Sequence, residues 1–347
     1  MKNKKILIII MIIGGIIILF LILNKINNKY ESLSEEDQYI LNEYNEFYES
    51  TEKNDIWDGY NLKDKTILMI SKDSLSIYLV NANNVPKSLF ATNIKLPDNF
   101  SLKNVYRISA IVPKTWLYKF DGNFNTIGKD YNLYGNDLYY VKYNKKNSID
   151  SIYSSEHFIT FLTHEAFHYY VQGNWNDSGL PSTDYLTTNV LSLMENEYEI
   201  LNNIQDEMSK ETPNKELLLK YAKSYVDVID KLKIESPELM DSLLMKETIE
   251  GTATYVGIKA SNIVGYDFGV MYFDNAKNVS FGDVFKEINK GSINKSFLVN
   301  RATYEVGSEI SLLLDAIDCP NWQDELNSQT INKPRTLYTV LKEYINK

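Results

Sequence analysis

Eighteen uncharged residues in a row, Ile6 to Leu23, follow Lys2, Lys4 and Lys5, and no other feature limits the chain's architecture as strongly. As a helix the run extends about 27 Å at ~1.5 Å per residue, close to the thickness of a bilayer core. A cleaved signal peptide has a shorter apolar region, about 7 to 15 residues, ending in small residues. Leu21-Ile22-Leu23-Asn24-Lys25 offers no such cleavage site, and no cysteine follows the run to accept a lipid. The expectation is an uncleaved single-pass anchor at residues 1–30, its N-terminus cytoplasmic by the positive-inside rule and the rest of the chain outside the cell. Lys25 and Lys29 on the far side work against that orientation.

The 347 residues, 44% of them hydrophobic, suffice for one large domain or two small ones with proper cores. A formal charge of -10, with no long block of either sign, excludes a nucleic-acid surface. Cys319 is the only cysteine, so no intramolecular disulfide forms and stability comes from packing and metal.

Ser34 with Asp37 three residues on resembles a capping box, opening a polar helix to about Glu49 that serves as a spacer off the membrane. Between about Lys65 and Asn144, short β-branched and aromatic runs alternate with turn signals. Strands are expected at Thr66 to Ile70, Ser76 to Val80, Val105 to Val112, Thr115 to Phe120 and Leu138 to Tyr143, with turns at Asp121-Gly122 and Gly135-Asn136-Asp137. From Ser154 the period changes to about 3.6. Helices are expected at Glu156 to Val171, Thr187 to Glu207, Asn214 to Lys233, Pro237 to Ala260, Thr303 to Ile317 and Pro334 to Tyr344. The fold class is α+β: an anchor at 1–30, a helix and β-rich region at 31–150, and a mostly helical region at 151–347 with inserted helices at about 185–235.

Within the first of the later helices stands His164-Glu165-Ala166-Phe167-His168. Histidines four apart lie one turn apart on one helical face, so both imidazoles can reach one ion. Neutral imidazole is a good zinc ligand, and catalytic zinc keeps one position open for water. Glu165, next to the first ligand, is placed to act as general base on that water rather than to bind the ion. The chain has three histidines, and two fall in this pattern with Glu in the matching slot. His157, two turns earlier, is expected to line the helix start without binding metal.

A third protein ligand is needed, and Glu250-Gly251-Thr252-Ala253-Thr254-Tyr255 supplies a candidate. Together with the two-histidine motif it resembles the gluzincin metallopeptidases, in whose aminopeptidase branch the ligand Glu precedes Gly-x-Ala-x-Tyr. The resemblance implies a zincin-like catalytic portion binding one zinc ion through His164, His168 and Glu250. Gly251 and Ala253 are expected to let the two metal-bearing helices approach closely, since Gly inside a helix costs about 1 kcal/mol relative to Ala. The 81 residues between His168 and Glu250 exceed the spacing of compact gluzincins, and Thr254 stands where the thermolysin branch carries a bracing Asp. Glu247 is the expected brace or alternate ligand.

Tyr304, in Tyr304-Glu305-Val306-Gly307, resembles the oxyanion-donating tyrosine of related peptidases, and Arg301 is a candidate for a substrate carboxylate. Glu195, Glu197 and Glu199 are expected on a solvated face, and Leu138 to Val141 as the edge strand that holds an extended peptide. The expected function is hydrolysis of peptide bonds in a peptide or protein substrate outside the membrane. The alternative is a non-catalytic metal-binding surface or sensor domain, disfavoured because structural zinc usually has four protein ligands. Endopeptidase and exopeptidase action are not distinguished.

Overall fold

The computed structural model describes residues 2–26, 28–52, 55–177, 179, 181–271 and 280–347. The protein is α+β and divides into two units, one of Met1–Ser151, Glu156–Tyr169 and Ile263–Gly265, the other of Ile152–Ser155, Tyr170–Asn262 and Tyr266–Lys347.

In the first unit the apolar run forms α1 (Lys2–Ile26), one helix long and apolar enough to cross a membrane. Its last turn is built into protein. Asn24 is buried, and its amide reaches Thr92 Oγ1 at 3.0 Å and the carbonyls of Arg107 at 3.3 Å and Phe90 at 3.4 Å. Ser34 then caps α2 (Glu35–Ser50), its Oγ accepting from the Asp37 amide at 3.2 Å. The reciprocal half of a capping box is absent, because the Asp37 carboxylate is used elsewhere. It accepts from Ser76 Oγ (2.7 Å), Tyr78 (2.8 Å) and Tyr143 (2.6 Å). With Ile40, Leu41, Tyr44 and Phe47 buried as well, α2 is a packed element and not the expected spacer.

The sheet contains β1 (Thr66–Ser71), β2 (Ile77–Val80), β3 (Ala91–Asn93), β4 (Tyr106–Ile108), β5 (Asn132–Leu133) and β6 (Asn136–Tyr143), in the order β3-β4-β2-β1-β6-β5. β1 pairs antiparallel with β2 and parallel with β6, placing Ile67 opposite Tyr139. Every residue of β1 is buried, as in a central strand covered on both faces. Leu68, Ile70, Leu138 and Tyr140 point into one core, which Phe20 of α1 joins. The alternate residues Tyr139 and Tyr143 face the other way. There they meet α5 (Phe158–Tyr170), with ring centroids 5.5 Å apart for Tyr139 and Tyr169 and 6.1 Å for Tyr143 and Phe158.

Two strand expectations need correction. Thr115 to Phe120 belongs to a helix, α3 (Pro113–Phe120), although Trp116, Tyr118 and Phe120 alternate like a strand. Pro113 at the first helical position after extended Val112 starts the helix, and burial then follows helical spacing, with Thr115 and Tyr118 inside. The strand expected at Val105 to Val112 shrinks to β4, because a turn closed by the Val112 amide on the Ser109 carbonyl (3.1 Å) leads into α3. A short helix, α4 (Lys145–Ser148), follows β6.

The second unit is helical: α6 (Thr188–Met208), α7 (Lys215–Glu235), α8 (Pro237–Ile263), α9 (Phe281–Lys290), α10 (Ala302–Ala316), α11 (Trp322–Asn327) and α12 (Leu337–Ile345). Thr187 and Asn214 cap α6 and α7 through the amides of Val190 (3.3 Å) and Leu217 (3.1 Å). α8 is buried almost all round from Leu239 to Ser261, as befits the central helix of a bundle.

α8 and α10 touch backbone to backbone. A Cβ placed on Gly251 would lie 2.2 Å from the Cα of Gly307, and one on Gly307 would lie 1.9 Å from the Glu247 carbonyl oxygen. One turn on, Tyr255 donates its hydroxyl proton to Asp315 at 2.5 Å. Glu247, Gly251 and Tyr255, four apart, therefore form the stripe of α8 that α10 covers.

Candidate metal centre

Helix α5 carries the histidine pair because its buried stripe is so well anchored. Phe158, Ile159, Leu162, Ala166 and Phe167 are buried. Trp57 and Tyr60 pack edge-on against Phe167 at 4.9 and 5.3 Å, and the Tyr60 hydroxyl donates to the Thr163 carbonyl at 3.1 Å. The neighbouring face, His164, Glu165 and His168, stays half-buried. There the two Nε2 atoms lie 3.2 Å apart with the rings 81° from coplanar. Two nitrogens at about 2.0–2.1 Å from one tetrahedral ion are separated by about 3.3 Å, so the pair is spaced for a shared metal.

Glu250 is 8% exposed on α8, and its Oε1 takes an ion pair from Lys246, one turn earlier, at 2.7 Å. His164, His168 and Glu250 are the group of potential ligands among the described residues, with one donor atom from each lying within 4.8 Å of the others. Two imidazoles and one carboxylate suit a divalent transition metal with a coordination position left for an exchangeable ligand. Glu165 follows His164 directly on the same helix.

Other expected residues fall differently. Gly251 and Tyr255 face α10, so the glycine of the Gly-x-Ala-x-Tyr element serves the α8–α10 crossing. Glu247 is not in the ligand group. It is buried, and burial first, then the charge of Glu197, hold its carboxyl well above the usual range. Glu197 is likewise buried, pushed up to about 8 by desolvation, which corrects the solvated-face expectation for that residue while Glu195 and Glu199 are exposed.

Tyr304 is half-buried beneath the Arg301 guanidinium, 5.2 Å from the ring centroid. Arg301 is committed to buried Glu305 by an ion pair of 2.7 Å, which accounts for its charge without a substrate carboxylate. His157 lies at the entry to α5 with Nε2 2.9 Å from the Ser151 carbonyl.

Leu138 to Val141 does not offer a free edge for a peptide. Its outer main-chain groups are already bonded: the Leu138 amide to the Tyr131 carbonyl (3.0 Å), the Leu138 carbonyl to Asn125 Nδ2 (3.0 Å) and the Tyr140 amide to Asn125 Oδ1 (2.8 Å). Phe124 bridges to Val141 beyond them.

One positioning residue is only weakly marked in the sequence. Gln172, four residues past His168, donates from Nε2 to the Ile249 carbonyl at 2.9 Å and to Thr252 Oγ1 at 2.8 Å. It thereby fastens the chain leaving the histidine helix to α8 on both sides of Glu250. Helical periodicity places Gln172 one turn from His168, which is the only hint the sequence holds. No family model, curated protein or solved structure matches the chain.

Proposed function

We propose that the protein is a membrane-anchored zinc metallopeptidase that hydrolyses peptide bonds outside the cytoplasmic membrane. The observation that carries this reading is the convergence of His164, His168 and Glu250, with the two Nε2 atoms 3.2 Å apart, beside a carboxylate that the ligand set leaves over. Zinc held by those three residues would polarise the scissile carbonyl and make a coordinated water acidic near neutral pH.

The chain's own groups divide the remaining work. Glu165 accepts the proton of the attacking water and delivers it to the leaving amine. Lys246 fixes the rotamer of Glu250 through its ion pair. Tyr304 is the donor assigned to the developing oxyanion, and the guanidinium above its ring makes its hydroxyl a stronger donor. The three basic residues before the apolar run orient the anchor with its N-terminus inside.

The test uses the full chain in detergent or bilayer vesicles. It is expected to contain one zinc per chain and to cleave members of a diverse peptide mixture, with cleavage abolished by a chelator and restored by zinc. Glu165→Gln should keep the metal and lose the cleavage. A protein that binds no zinc, or a Glu165→Gln variant that cleaves normally, ends the proposal. Cleavage positions read by mass spectrometry separate removal of terminal residues from internal cutting.

A further inference from the structure

The helix α3 wears its apolar side outward. Trp116, Leu117 and Phe120 are 52%, 68% and 84% exposed, while Thr115 and Tyr118 are buried. A solvent-facing helix with the reverse polarity is the normal pattern, and a contiguous exposed apolar face marks an interaction surface.

Its position says what covers it. Tyr118 of α3 and Phe20 of α1 belong to the same core on one face of the sheet. Phe20 and Leu23 of α1 share a pocket wall with Leu75 and Ala110. α3 meets that wall through the Trp116 indole, which donates to the Ala110 carbonyl, and lies beside it through Lys119 Nζ, which donates to the carbonyl of Ser74, the residue before Leu75, at 3.3 Å. Leu75, at the wall, is itself 55% exposed. So is Leu89, at 70%, next to Phe90, whose carbonyl accepts from Asn24 of the anchor. The exposed apolar side chains thus surround the point where the transmembrane helix joins the sheet. The histidine helix packs on the opposite face, against Tyr139 and Tyr143.

We propose that α3, with Leu75 and Leu89, lies in the membrane interface beside the anchor and seats the first unit flat on the lipid surface. Continuity with α1 fixes the occupant as lipid, since any surface contiguous with an emerging transmembrane helix meets the headgroup and upper acyl region first. Tryptophan and phenylalanine are the side chains that partition there, and exposed Lys114 at the start of α3 supplies a cation for the phosphates. The sheet would then hold the histidine helix on the side away from the bilayer. The inference rests on α1 remaining in the membrane.

The reporter is built in. Of four tryptophans, Trp57, Trp175 and Trp322 are buried and Trp116 is exposed. Full-length protein in phosphatidylcholine vesicles is compared with the same protein in vesicles containing acyl-brominated phosphatidylcholine. Bromine is expected to quench part of the tryptophan emission, and that part is expected to vanish in Trp116→Phe. A second variant, Leu117→Ser with Phe120→Ser, keeps the reporter and alters only exposed side chains. It should show weaker quenching and a red-shifted emission. Equal quenching in wild type and Trp116→Phe overturns the proposal, as does a patch that instead mediates self-association of the chain. Alkaline carbonate extraction separates the two readings. Release of the chain from the vesicles refutes the anchor itself, whereas a retained chain with an unquenched Trp116 refutes only the docking of α3.

Discussion

Gly251→Ala sets two known effects against each other at one position. Alanine is favoured over glycine inside a helix by about 1 kcal/mol, so the substitution stabilises α8 taken alone. Against this, the added methyl would sit 2.2 Å from Gly307 Cα, 2.4 Å from Gly307 C and 2.8 Å from Ser308 N. Carbon atoms in good contact lie about 3.5–4.0 Å apart, so the shortfall is about 1.3 Å or more. The opposing atoms are backbone, and no side chain can swing away. The helices must separate, and a gap of about 1 Å forfeits up to half of the dispersion energy of each contact along the crossing. Overpacking of this kind costs roughly 1–3 kcal/mol, and the lost neighbouring contacts add to it, so the net change should be a destabilisation of about 2–3 kcal/mol. Urea unfolding of the full chain, followed by buried Trp322 beside Tyr255, measures it. Because Glu250 is the adjacent residue, zinc affinity should fall in the same variant. Gly14→Ala, whose methyl meets nothing within 4 Å, is the control. A Gly251→Ala protein as stable as the wild type or more so would mean that α8 and α10 do not touch through these glycines.

Glu165→Gln should lower peptidase turnover by about 10²–10⁴ with unchanged zinc stoichiometry, as read by steady-state rates and metal analysis. Gln172→Ala removes two hydrogen bonds beside Glu250 and no ligand, so titration with a competing chelator should show zinc affinity about tenfold weaker. Glu309 is buried next to Glu305, and burial first, then that charge, push its carboxyl up to about 8. A raised folded-state value means its contribution is complete below the unfolded value near 4.5 and is lost as pH rises to about 8. Stability should therefore decline across that window by several kcal/mol, at up to ~1.4 kcal/mol per pH unit. Glu309→Gln should flatten the decline in urea unfolding at pH 5.5, 6.5 and 7.5, and an unchanged slope would assign it to other groups.

The parts of this protein legible in the sequence are those set by local pattern. α6, α7 and α8 announce themselves through Thr187, Asn214 and Ser236-Pro237 at their starts, and the histidine pair needs only helical periodicity to lie on one face. α3 misleads because its residues alternate like a strand while lipid, not core, is the proposed destination of the outward ones. α9 is hard to recognise, although Phe281, Val284, Phe285 and Ile288 recur at helical spacing, because the stretch is short. What could not be read at all depends on distant partners. Asp37 finds hydroxyls from two strands, Gly251 finds Gly307, and Gln172 finds Ile249. Glu250 was reachable only by resemblance, since nothing local marks that carboxylate over Glu247.

The pairing of β1 with β6 bears on how the protein is made. β1 occupies the middle of the sheet, yet its parallel partner begins 65 residues after β1 ends, counting from Ser71 to Asn136. At ribosomal speeds of about 5–20 residues per second, β1 waits roughly 3–13 s with only β2 beside it. During that interval one edge of a strand with an apolar centre, Ile67 to Ile70, is open, the condition that favours misassembly during slow, non-local closure. α1 is synthesised before any strand, so under the anchoring proposed above the chain would wait while tethered at the membrane. Moving the anchor to the C-terminus would leave the finished fold's contacts available but make the nascent sheet complete itself untethered, and the yield of folded protein from such a permuted gene would register the difference.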